Sequence, residues 1–125
     1  MKKVKQIGIW MDHSNAFLME LTNDKIIEHI VVSEFTQQEK EDSLSKNEKF
    51  MHKKKQQFQS SYYKKLSDIM INYHEIVLFG PTDAKNELLN LLRANILFEK
   101  IKIEVKDTDK MTARQMHAFV KEYFK

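Results

Sequence analysis

Glu75-Ile76-Val77-Leu78-Phe79-Gly80-Pro81-Thr82-Asp83-Ala84-Lys85-Asn86-Glu87-Leu88 decides the fold class. After Glu75, Ile76–Phe79 is an unbroken apolar run, the pattern of a short strand covered on both faces. Gly80-Pro81 ends that strand. Thr82 or Asp83 can cap the helix that follows, whose Leu88, Leu91 and Leu92 share a face. A strand feeding a helix in this way is a βα unit, and right-handed crossovers would join the third, fourth and fifth strands if these run parallel.

Upstream, Lys5–Asp12 alternates, with Ile7, Ile9 and Met11 on one side and Gln6, Gly8 and Trp10 on the other. Asp12-His13-Ser14-Asn15 is a turn cluster, because short polar side chains hydrogen-bond their own backbone. Ala16–Leu21 is a second strand, Asn23-Asp24 a second turn, and Ile26–Ser33 a third strand rich in β-branched residues. Together they predict an antiparallel meander. Downstream, Phe98–Val105 is strand-like, with Ile101, Ile103 and Val105 alternating against Lys100, Lys102 and Glu104. Thr112-Ala113-Arg114-Gln115 has capping-box spacing and starts a last helix with Met116, Phe119, Val120 and Tyr123 inward. Between the meander and Glu75, a helical pattern runs from about Lys49 through Phe58, Tyr62, Leu66, Ile69 and Tyr73. The order β-β-β-α-β-α-β-α predicts an α/β fold: one mixed sheet, an antiparallel N-terminal meander and then βα units with helices packed on the sheet.

The chain has 125 residues, a length suited to one domain spanning 1–125. Its 42% hydrophobic content is enough for a core. Two glycines and one proline argue against linker-rich or many-turned all-β designs. The absence of cysteine removes disulfides, thiolate zinc ligands and thiol nucleophiles. The longest apolar runs fall far short of the ~20 residues of a membrane helix, and Met1–Gln6 does not read as a signal peptide. A cytoplasmic location is the expectation. Glu34–Glu48 has no periodicity and several acids, and predicts a mobile loop.

The segment from Lys49 to Lys65 is the strongest functional signal. It holds six lysines (Lys49, Lys53, Lys54, Lys55, Lys64 and Lys65) and no acid, although the chain's formal charge is only +3. Such concentration suits contact with a phosphate backbone, where each neutralised phosphate releases counterions. Phe50, Tyr62 and Tyr63 could stack on bases. The same run also reads as a solvated helix face with its aromatics in the core.

Other chemistries find less support. Asp12, Asp83, Asp107 and Asp109 follow strands, where carboxylates could gather a divalent metal in a nuclease or phosphoesterase. Aspartate is also a favoured turn and cap residue at all four places. His13, His29, His52, His74 and His117 show no paired metal-ligand spacing, and His29, within a strand, is expected to be packed or hydrogen-bonded. No serine sits in a G-x-S-x-G elbow. With Gly8 and Gly80 alone, neither a dinucleotide fingerprint nor a P-loop is possible. Trp10 reads as a packing residue under a helix, or as a ligand platform.

Three passages carry a resemblance: Gly8-Ile9-Trp10-Met11-Asp12 through Ala16-Phe17-Leu18; Val77 through Leu88; and Ile103-Glu104-Val105-Lys106-Asp107 leading to Lys110-Met111-Thr112. In this order they resemble the middle domain of archaeal and eukaryotic class-1 peptide-chain release factors and of the ribosome-rescue protein Pelota. They are more similar still to short bacterial relatives described as release-factor-like, translational-machinery or host-attachment proteins. The resemblance implies a mixed sheet with a long loop between the third strand and the first long helix. In release factors that loop carries Gly-Gly-Gln, which promotes ester hydrolysis. Here the corresponding stretch, near Asp42-Ser43-Leu44-Ser45-Lys46, has neither glycine nor glutamine. No hydrolytic residue carries over, while Lys49-Phe50 stands where release factors have Arg-Phe. The expectation is a non-catalytic, cofactor-free protein bound to the ribosome or structured RNA, in stress, rescue or hibernation. A metal-dependent nuclease and a small protein-interaction module are the alternatives.

Overall fold

The structure, a computed structural model, describes residues 4–33 and 48–125, with side chains from residue 57 onward in the second stretch. The loop expected at 34–48 therefore lies outside the described residues, except Glu48, which opens a helix. Five strands form one sheet: β1 (Gln6–Met11), β2 (Asn15–Thr22), β3 (Lys25–Val32), β4 (Glu75–Gly80) and β5 (Lys102–Asp107). Three helices accompany them: α1 (Glu48–Met70), α2 (Ala84–Arg93) and α3 (Ala113–Tyr123). The sheet order is β3-β2-β1-β4-β5.

The meander forms as its pattern predicts, with β1–β2 and β2–β3 antiparallel. Its second turn is built on Asn23 (φ 51°) and Asp24 (φ 64°), the left-handed pair that a two-residue hairpin needs and that Asn and Asp tolerate best. β4 then pairs parallel with β1, Ile76 beside Ile7 and Leu78 beside Ile9, and β5 pairs parallel with β4. Strand alternation divides the core into two layers. Ile7, Ile9, Met11, Leu18, Ile76 and Leu78 face α1 and α2, meeting Tyr62, Tyr63, Leu66, Met70, Leu88 and Leu92. Trp10, Met19, Val77 and Phe79 face α3, meeting Met116 and Val120. Phe79 and Phe119 stack with ring centroids 4.3 Å apart.

Gly8 permits the second layer. A Cβ there would stand 2.3 Å from Val120 Cγ2, so α3 can seat only over a residue without a side chain. Trp10, 7% exposed, packs in this layer as the packing reading requires. α3 opens with the predicted capping box: Thr112 Oγ1 accepts from the Gln115 amide at 3.2 Å, and Gln115 Oε1 accepts from the Thr112 amide at 2.9 Å.

Three expectations need correction, and one is narrowed. Leu91 is 54% exposed and does not share the buried face of Leu88 and Leu92. The opposite shoulder of the α2 stripe is taken by Lys85, whose side chain is buried with Ala84, Leu88 and Leu92. The fifth strand starts at Lys102, not Phe98. Residues Ile96–Phe98 form a 3-10 turn whose Asn95 Oδ1 accepts from the Leu97 amide, and pairing begins only opposite Glu75, the first residue of β4. Of the two cap candidates, Asp83 makes no side-chain bond to the helix amides, and it is Thr82 Oγ1 that accepts from the Ala84 amide, at 3.4 Å. His29 is exposed rather than packed, because β3 is the sheet's edge.

Candidate nucleic-acid interface

β1, β4 and β5 run parallel, and their C-terminal ends bring Asp12-His13, Gly80–Asp83 and Asp107-Thr108 to one end of the sheet. The chain spends these groups on its own backbone and on neighbouring side chains. Asp12 Oδ1 accepts from the amides of Ser14 (2.8 Å) and Asn15 (2.7 Å), which shapes the β1–β2 turn. Asp83 Oδ1 accepts from Asn86 Nδ2 at 2.7 Å. Asp107 meets the Nζ of Lys85, whose side chain is 1% exposed, at 2.8 Å. Lys85 also donates to the Thr82 carbonyl, so the lysine ties the end of β5 to the start of α2. Asp12, Asp83 and Asp107 are thus separately engaged. Among the described residues, no group of three or more His, Asp or Glu side chains is arranged to hold a metal ion.

The same end anchors α1. Tyr62 Oη donates to the Asp12 carbonyl at 3.0 Å, and Gln59 Nε2 donates to the His13 carbonyl at 3.3 Å. Tyr63 Oη donates to Glu87 Oε1 at 2.7 Å, and the other Glu87 oxygen faces His13 Nε2 at 3.1 Å. Burial alone would raise the Glu87 pKa. The hydrogen bonds from His13 and Tyr63 outweigh it and hold the carboxyl below its ordinary value. Burial, followed by the neighbouring carboxylate, pushes the Tyr63 phenol well above its usual range. Tyr62 (1% exposed) and Tyr63 (5%) are therefore core residues and anchors, not stacking platforms.

These anchors fix the direction of α1. Its C-terminus is joined to β4 by the turn around Tyr73, and the His74 amide donates to the Lys5 carbonyl at the opposite end of the sheet. Gln59 has already reached the end of β1, and eleven helical residues precede it. At 1.5 Å per residue they carry the helix axis about 16 Å further in the same direction. Lys49, Lys53, Lys54 and Lys55 belong to this overhang; their side chains, and that of Phe50, lie outside the described residues. Lys64 and Lys65 are exposed on the part that covers the sheet. Lys53 and Lys64 are eleven residues apart, three turns to within about 20°, and so are Lys54 and Lys65. The six lysines thus follow one continuous helix, four of them on its overhang.

Sequence reasoning did not anticipate the Tyr63–Glu87–His13 chain or the burial of Lys85. The first links residues 24 and 74 positions apart, with no local pattern to signal it. A cleft of about 510 Å³ lies elsewhere, between the end of α2, the 3-10 turn and β5, lined by Leu92, Ile96, Phe98 and Ile103.

No family model matches the chain, and no curated protein matches it significantly. Solved structures do. Pelota from Archaeoglobus fulgidus superposes over 97% of this chain with a TM-score of 0.61 and 13% identity. Pelota from Thermoplasma acidophilum superposes over 94% with a TM-score of 0.62 and 12% identity. The fold is Pelota-like. The chain spans about a third of the length of either Pelota, 32% in both cases. The Pelota-like sheet and helices agree with the resemblance carried by the Gly80-Pro81 and Lys106-Asp107 passages. Among the described residues, no helix is long and apolar enough to cross a membrane.

Proposed function

We propose that this chain is a cytoplasmic component of the translation machinery that binds the ribosome or another structured RNA and contributes contacts rather than chemistry. The observation that carries this reading is the α1 overhang: a segment with four lysines and, after Glu48, no acid, projecting from a Pelota-like scaffold. Phosphate contact explains why the positive charge is concentrated there while the whole chain is nearly balanced. The burial of Tyr62 and Tyr63 supports contact with backbone rather than stacking on unpaired bases. The lack of Gly-Gly-Gln between β3 and α1 agrees with a role in rescue, stress or hibernation in place of peptide release.

The test is the triple substitution Lys53→Glu, Lys54→Glu and Lys55→Glu. Sedimentation with ribosomal particles and an RNA-binding isotherm, each at two salt concentrations, read the effect. We expect binding to be lost with unchanged circular dichroism. Each phosphate contact removed should flatten the log–log salt dependence by about 0.7–0.9. A folded triple mutant that binds as tightly as the parent would overturn the reading.

A further inference from the structure

The two edges of the sheet are built differently. β5 carries Lys102, Glu104, Lys106 and Asp107, charges that oppose pairing with another strand. β3 is guarded less densely, with Lys25 and Glu28 as its only full charges. It is eight residues long, has no proline or glycine, and exposes Ile27 (46%) and Ile30 (59%) on its two faces. Among the described residues, nothing pairs with its outer side. We propose that this edge pairs antiparallel with β3 of a second copy, joining two sheets into one of ten strands.

The strand's own sequence selects the register. Lys25 lies opposite Thr22 across the two-residue turn and directs its amide inward to β2, as the turn's closing hydrogen bond requires. By alternation, Ile26, Glu28, Ile30 and Val32 direct their amides and carbonyls outward. A two-fold axis normal to the sheet keeps each face continuous, so one residue must sit opposite itself. Centring on Glu28 would set two carboxylates against each other, which is unfavourable. Centring on His29 avoids this and uses all of the strand except Lys25. Ile27 of one copy then meets Val31 of the other, Ile26 meets Val32, and Glu28 meets Ile30. All four outward-facing residues of each strand join the ladder. Seven paired residues span about 24 Å, and a strand edge alone lies at the low end of interface sizes. The dimer is therefore reversible and concentration-dependent.

The absence of cysteine makes the test direct. In this register the two His29 residues form a non-hydrogen-bonded pair with Cα atoms about 4.5 Å apart, within the reach of a disulfide. Under mild oxidation His29→Cys should form a covalent dimer at least roughly tenfold faster than Leu97→Cys, because pairing raises the effective thiol concentration. Leu97, 69% exposed, lies away from β3 and serves as the control. Adding Ile27→Lys and Ile30→Lys to His29→Cys should return cross-linking to the control rate with unchanged circular dichroism. The parent chain should show a weight-average mass that rises with concentration in sedimentation equilibrium. Equal rates for His29→Cys and Leu97→Cys, no effect of the lysines, or a monomer at every concentration would each overturn the proposal. Faster cross-linking through Ile30→Cys than through His29→Cys would overturn the register.

Discussion

Replacing Gly8 by alanine places a methyl carbon 2.3 Å from Val120 Cγ2, 3.1 Å from Cγ1 and 3.2 Å from Cβ. Ordinary carbon contacts need about 3.5–4.0 Å, so the nearest pair must separate by more than 1 Å. Val120 cannot swing aside, because a β-branched residue in a helix is held to one rotamer. α3 must retreat instead, and with it Phe119, which stacks on Phe79. Overpacking of this kind costs about 1–3 kcal/mol. Val120→Ala alone removes two buried methyl groups, a loss of about 1–3 kcal/mol at the usual cost per carbon. In the double mutant the new methyl enters the space the valine vacates. Its loss should then be smaller than the two single losses added, by about 1–3 kcal/mol. Urea unfolding gives all four free energies. The single tryptophan, Trp10, is buried in the same layer, so its fluorescence reports the seat of α3 directly. A Gly8→Ala variant within about 0.5 kcal/mol of the parent, or strict additivity in the double mutant, would refute the close-approach argument.

Within α2, Leu92→Ala should lose about 2–5 kcal/mol in urea unfolding, as for other buried leucines, and the half-exposed Leu91→Ala should fall within about 0.5 kcal/mol of the parent. Similar losses at both positions would mean that the helix sits rotated from its described face. Glu87 gives a pH dependence. Its folded pKa is depressed, so its stabilisation is present above the carboxylate's unfolded pKa and is lost as pH falls through the folded one. The stability difference between the parent and Glu87→Gln should therefore shrink on acidification. Because the carboxylate is about half exposed, the difference at neutral pH should stay below about 1 kcal/mol. A difference that grows toward low pH would contradict the bonding to His13 and Tyr63.

The elements set by local chemistry were legible in the sequence. The meander follows from alternation and from Asn23-Asp24, the βα unit from Gly80-Pro81, and the last helix from Thr112 and Gln115. What escaped depends on tertiary partners. Leu91 and Lys85 lie on opposite shoulders of the α2 stripe. Only the position of β5, with Asp107 waiting for the lysine, decides which of them turns inward. Phe98 reads as strand because it is apolar and precedes an alternating run, yet a parallel strand can begin only where its neighbour begins, at Glu75. The histidine in β3 reads as packed until the strand order puts it at an edge. For the candidate site, the lysine run was visible as charge, but its projection past the sheet was not. That required the anchors at Gln59, Tyr62 and Tyr63, whose partners lie far away in the chain.

The central position of β1 has a consequence for how the molecule assembles. Its antiparallel neighbour arrives after a short turn, whereas its parallel neighbour must be brought back across 69 positions, from Gln6 to Glu75. Chain statistics make that closure roughly 2–3 kcal/mol less favourable than a hairpin's, and hairpins form in microseconds. The meander can therefore stand before β4 docks, and β5 has nothing to pair with until β4 is in place. The sheet is built outward from β1 in one direction, so a substitution on β5 should mainly speed unfolding, whereas one at the Asn23-Asp24 turn should slow folding.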